Sequence, residues 1–176
     1  MTDREAKTAY ETNLTDDQWV AIEPLLQEAK PWGGRPIKVN LREVVNALLS
    51  MNRTGCQWRM IPHDVPKPGA IRYYFDKWTD NGTLVRINDI VRRRAREGLE
   101  REAESAIGVM DSKSVKTTEA GGDCGFDAAK KIKGRKRQIL VDTNGFLLRT
   151  LVHAADISDT EGGAWLIRAY HDDFPR

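Results

Sequence analysis

Apolar residues recur at helical spacing through the first hundred positions, then give way to short runs of strand type. The first helix opens at Thr15 and Gln18, which fit a capping box, with Leu14 and Trp19 as its hydrophobic staple. Ile22, Leu25 and Leu26 continue its apolar face, and Pro24 predicts a kink or a split. Residues 1–13 are polar and read as frayed, and the turn residues at 31–36 read as a loop. A second helix is predicted over about 40–52, with Asn40 as N-cap and Leu41, Val44, Val45, Leu48 and Leu49 as its buried stripe. Gly55 falls near its C-cap, and prolines from 62 to 68 make a rigid linker. A third helix, from 68 or 69 to 80, presents Ile71, Tyr74, Phe75 and Trp78 on one face and Arg72, Tyr73, Lys77 and Thr79 elsewhere. A fourth, from about 83 to 104, carries Leu84, Ile87, Ile90, Val91 and Leu99.

Beyond residue 106 the period changes. Ile107, Gly108, Val109 and Met110 form a short run ending on Asp111, followed by a polar loop at 112–123. A basic segment, read as a loop, occupies 130–137, and two strands follow at 138–141 and 146–152. Asn144-Gly145 between them is a strong hairpin signal. Ser158 and Glu161 cap a last helix whose buried face is Leu166, Ile167 and Tyr170. The predicted class is α+β: an all-α, helix-turn-helix-like domain at 1–104, then three antiparallel strands and a helix at 105–176.

Charge changes this picture locally. The net charge is only +2, but six of the eight residues from 130 to 137 are basic, and Arg92, Arg93, Arg94 and Arg96 form a second cluster. Clustered cations make a phosphate footprint even on a nearly neutral protein. Cys56 and Cys124 lack the spacing of a zinc site or a disulfide framework. No apolar run approaches the roughly 18 residues of a membrane span, and the polar N-terminus does not resemble a secretory signal. A cytoplasmic, nucleoid-associated protein without a membrane partner is the expectation.

Strand, strand, strand, helix is how an RNase H-like domain begins, and such a domain keeps a metal-binding carboxylate on its first strand, here Asp111. Asp142 reads as a turn residue and Asp159 as a first-turn helix residue. That leaves Asp156 as the candidate for a second metal-proximal acid. His153 reads as structural and Cys124 as a bystander. Lys130, Lys131, Lys133, Arg135, Lys136 and Arg137 are expected to contact DNA phosphates. Arg72, Tyr73 and Lys77 on the third helix, off its apolar face, are expected to meet DNA.

Several fragments, in order, resemble the bacterial insertion-sequence transposases of the DDE class that carry a compact N-terminal helical domain. They are Leu14-Thr15-Asp16-Asp17-Gln18-Trp19, Gly34-Arg35-Pro36, and Gly55-Cys56-Gln57-Trp58-Arg59-Met60-Ile61-Pro62. Tyr73-Tyr74-Phe75-Asp76-Lys77-Trp78, Val109-Met110-Asp111-Ser112-Lys113-Ser114-Val115-Lys116 and Lys133-Gly134-Arg135-Lys136-Arg137 continue the series. The resemblance implies Mg²⁺-dependent cleavage and transfer of double-stranded DNA at transposon ends, with Asp111 as the first catalytic and metal-binding acid. It leaves a homo-oligomer open. The family's second Asp and its Glu have no counterpart here, so the resemblance implies a truncated or frameshifted form, inactive by itself. The alternatives are a non-catalytic DNA-binding regulator of transposition and a non-functional remnant. A strand ending at Asp111 without a neighbour would be an apolar edge, so the second half is expected to be the less stable.

Overall fold

In the computed structural model of the chain, residues 10–27, 38–117 and 122–171 are described. The expected loop at 31–36 and the segment 1–9 lie outside them. Two compact units result, Met1–Ile90 and Val91–Arg176. The division falls inside the fourth helix.

The first unit is helical. α1 (Asp16–Leu26) starts at a complete capping box: the Gln18 backbone N–H donates to the Thr15 hydroxyl and the Thr15 N–H donates to the Gln18 side chain. Pro24 lies inside α1 but does not split it; the N–H it lacks would have served the carbonyl of Val20, an exposed residue. α2 (Leu41–Thr54) is capped by Asn40, whose side-chain oxygen accepts from the N–H groups of Arg42 and Glu43, and it ends at Gly55 with φ 68°. After a single 3-10 turn at Trp58–Met60 comes α3 (Pro68–Asp80). Ile22, Leu26, Leu41, Val44, Ala47, Ile61, Ile71 and Trp78 close one core. Buried Asn46 belongs to it as a tie, its side-chain oxygen accepting from the Leu14 N–H at 2.9 Å. Three aromatic residues of α3 thus serve packing: Trp78 is buried, Tyr74 lies against it at 5.3 Å, and Phe75 meets Trp58 at 5.6 Å.

α4 spans Thr83–Glu97, shorter than the sequence suggested. The arginines explain the early stop. Arg96 turns back, its Nε donating to the Glu102 carbonyl at 2.7 Å and its Nη2 to that of Glu104 at 3.3 Å. Arg92 donates to the Ala103 carbonyl and to the Glu104 carboxylate, which also pairs with Arg93. The chain reverses through Glu100, at φ 55°. Arg92 and Arg96 are buried, so these two do not join a phosphate footprint.

The second unit is an antiparallel sheet with one helix on it. β1 (Gly108–Lys116), β2 (Gly125–Asp127), β3 (Ile132–Asp142) and β4 (Leu147–Ala154) surround the long central strand β3, with β1 on one edge and β4 and β2 on the other. Two expectations change here. β1 runs five residues past Asp111, into the stretch read as a polar loop, and the basic segment 130–137 is mostly strand. Alternation of cation and small or apolar residue, as in Lys133-Gly134-Arg135, is a strand pattern that charge density obscured. The Asn144-Gly145 hairpin joins β3 to β4 as expected, with Gly145 at φ 83°.

α5 (Asp159–Tyr170), capped by the Ser158 hydroxyl, covers one face of this sheet. Leu166 packs with Leu140 and Leu148, flanked by Met110 and Leu151. α5 comes close because residue 162 is glycine: a Cβ there would lie 2.2 Å from His153 Nε2 and 2.7 Å from Gln138 Nε2. Among the described residues the fold is therefore α+β, with five α-helices and about four antiparallel strands. Among the described residues no helix is long and apolar enough to cross a membrane.

Candidate functional site

The sheet has two unlike faces, set by the two-residue period of its strands. Met110, Ser112 and Ser114 of β1 stand opposite Leu140, Gln138 and Lys136 of β3, and these lie on the face covered by α5. The alternate residues, Val109, Asp111, Lys113 and Val115, lie on the other face and are exposed. Asp111 is in the middle of β1, opposite Ile139, on the strand that leads into the Asn144 hairpin.

The covered face is more polar than its position suggests. Lys136 is 5% exposed, and its Nζ donates to the Ile157 carbonyl at 2.7 Å and to Asp159 Oδ1 at 2.9 Å. Asp127 Oδ2 lies 3.7 Å away and accepts from the Ser114 hydroxyl at 2.5 Å. The Lys130 backbone N–H closes the group on Asp127 Oδ1. The Ser114 hydrogen bond is the first cause that holds the Asp127 carboxyl below the usual range; for Asp159 it is the Lys136 hydrogen bond, outweighing partial burial. Beside them His153 Nδ1 meets the Ala154 carbonyl at 2.8 Å, Gln138 lies 3.4 Å from Nε2, and the ring stands edge-on to Trp165 at 5.9 Å. His153 is thus structural, as read from the sequence. Lys136 is corrected: it points into the domain, tied to the N-terminus of α5, and leaves the DNA-contact set. Ser114, Asp127 and Asp159 were not singled out together, because their meeting depends on register.

Asp142 caps the hairpin. Its Oδ1 accepts from the N–H groups of Asn144 and Phe146, and its Oδ2 from Arg96 Nη1 at 2.5 Å. Burial pushes this carboxyl up, but the Arg96 and backbone hydrogen bonds win and hold it below the usual range. Asp156 does not meet Asp111. It follows Ala154, which pairs with Arg135, four residues along β3 from the Ile139 opposite Asp111; that is at least roughly 13 Å at about 3.4 Å per residue. Asp156 instead lies against Gly125.

Among the remaining cations, Lys130, Lys131, Lys133 and Arg137 are exposed, while Arg135 is half-buried with its Nε donating to the Asp123 carbonyl at 2.9 Å. On α3, Arg72 pairs with Asp76 at 2.8 Å and stacks 5.2 Å over the Trp58 ring; Tyr73 is exposed and Lys77 half-buried. No group of three or more His, Cys, Asp or Glu that suits a metal ion occurs among the described residues. Mg²⁺ takes six oxygen ligands, usually one or two carboxylates with waters and phosphates. Asp111 offers one carboxylate, so the described residues do not by themselves make a metal site.

Two family models match the chain in succession. Residues 14–88 match "Putative transposase of IS4/5 family" and residues 102–176 match "Transposase DDE domain". The "Uncharacterized protein y4sN" of Sinorhizobium fredii (strain NBRC 101917 / NGR234) is 30% identical over 82 residues, 47% of this chain. The match spans 65% of that relative's length. No solved structure matches. A family whose chemistry uses a divalent metal and DNA matches both the helical unit and the strand unit that carries Asp111, and the chain belongs to the insertion-sequence DDE transposases.

Proposed function

We propose that this chain binds double-stranded DNA at transposon ends and supplies the first acid of a DDE transposase centre, Asp111. The observation that carries this reading is the placement of Asp111: midway along the edge strand β1, exposed, and on the face that α5 leaves open. In the proposal the strand unit is the opening portion of an RNase H-like domain. The helical unit acts as a helix-turn-helix-like reader through Tyr73, with Arg72 and Lys77 beside it. Lys130, Lys131, Lys133 and Arg137 hold phosphates without reading sequence.

A second reading is a DNA-binding regulator that occupies transposon ends without cutting them. It is favoured by the solitary position of Asp111 among the described residues. A nicking assay on terminal-repeat DNA with Mg²⁺ in the buffer separates the two. Cleavage that disappears in Asp111→Ala supports the transposase reading. Retained binding without cleavage supports the regulator. Absence of DNA binding at low salt overturns both.

A further inference from the structure

The open face of the sheet brings two cations together. Lys113 on β1 is the direct cross-strand partner of Arg137 on β3. Both are exposed, and among the described residues neither has an ion-pair partner. Directly opposed like charges destabilise an antiparallel pair, since their Cβ atoms lie about 4.5–5.5 Å apart. The neighbours give little relief. Arg137 is flanked on its other side by Val152 of β4, and Val115, next along β1 on this face, is opposite Arg135. Asp111, two residues from Lys113 on the same face, is the one acid in this row.

We infer that Lys113 and Arg137 form a phosphate clamp that positions the DNA backbone beside Asp111. The inference rests on the DNA-binding reading above and deepens it by adding a residue, Lys113, and a place. The backbone lies across the open face, over β1 and β3, and its negative charge relieves a repulsion that the free protein carries. Two cations of different shape suit one phosphate: the Arg137 guanidinium supplies a planar fork and the Lys113 ammonium a point charge. Asp111 then stands one step along the same face, where a phosphodiester held by the pair meets it. Lys113 is a positioning residue in this arrangement. Lys136, one residue before Arg137 but on the covered face, takes no part.

The test uses the full chain, a duplex carrying the terminal repeat, and anisotropy titrations over a series of salt concentrations. Lys113→Gln is expected to weaken binding several-fold and to make the log–log salt slope shallower by about 0.9, one phosphate contact. Lys113→Arg is expected to restore both. In the absence of DNA, Lys113→Gln is expected to leave the melting temperature unchanged or raise it, because a repulsion has been removed; a merely structural lysine would lower it and leave the salt slope alone. Wild-type binding with an unchanged slope in Lys113→Gln would overturn the clamp and leave the DNA-binding reading intact. No binding by the wild type would overturn both.

Discussion

Arg96 Nη1 lies 2.5 Å from Asp142 Oδ2, with both side chains almost completely buried, and this pair joins the end of α4 to the hairpin at the end of β3. Removing one partner strands the other charge in the interior, which costs about 3–5 kcal/mol. Arg96→Met should therefore destabilise the strand unit by that amount. Hydrogen exchange at β3 and β4 amides under increasing urea measures it. The double variant Arg96→Met with Asp142→Asn should recover part of the loss, because no charge is then left unpaired. Equal stability of wild type and Arg96→Met would show that the pair does not hold α4 to the sheet.

Acid should loosen the same unit. Asp127, Asp142 and Asp159 are all held below the usual carboxylate range in the folded chain. A carboxyl with a depressed folded pKa adds stability that is complete above its unfolded value, about 3.9, and is lost as the pH falls through the folded value. Urea midpoints should then hold level from pH 7 to about pH 5 and fall below about pH 4. Asp127→Asn should flatten part of that fall.

Gly162 is predicted to resist even the smallest side chain. Alanine is the better helix former by about 0.8–1 kcal/mol. Yet its Cβ would press on His153 Nε2 and Gln138 Nε2, and the His153 ring is fixed by its bond to the Ala154 carbonyl. Overpacking costs about 1–3 kcal/mol, so Gly162→Ala should lower the melting temperature. A rise would mean that α5 stands further from the sheet.

In the helical unit, Thr15→Ala removes the hydroxyl that accepts from the Gln18 N–H and should cost about 1 kcal/mol. Helical circular dichroism during thermal unfolding reads this. Asp111→Ala is the contrasting case: an exposed carboxylate on an open face, whose loss should leave thermal stability within about 0.5 kcal/mol.

The helices were legible because their signals are local. Thr15 with Gln18, Asn40 and Ser158 each mark a start through bonds to their own first turn, and Pro68 marks one through its fixed φ at the first helical position. The Asn144-Gly145 hairpin was legible for the same reason. The strands were harder. β1 continues past Asp111 through Ser112, Lys113 and Ser114, whose polar character hides a period-two pattern in which Ser114 is buried against Asp127. Nothing near Lys136 in sequence distinguishes it from Arg137, but strand alternation buries one and exposes the other. The end of α4 was misjudged because its arginines bond to carbonyls at 102–104, a tertiary effect that propensity does not register. Asp111 stands out in the sequence as the carboxylate after the first apolar run, the resemblance implies its catalytic role, and the fold adds which face it occupies.

The most direct measurement is crosslinking from that face. Ile139, opposite Asp111 on β3, is replaced by a photoreactive amino acid and irradiated with terminal-repeat duplex; Thr160 at the start of α5, on the covered side, serves as the control. DNA adducts at position 139 with none at position 160 are the predicted result. Adducts at 160 alone, or no adduct at 139 under conditions where the duplex is bound, would contradict the placement of DNA against Asp111.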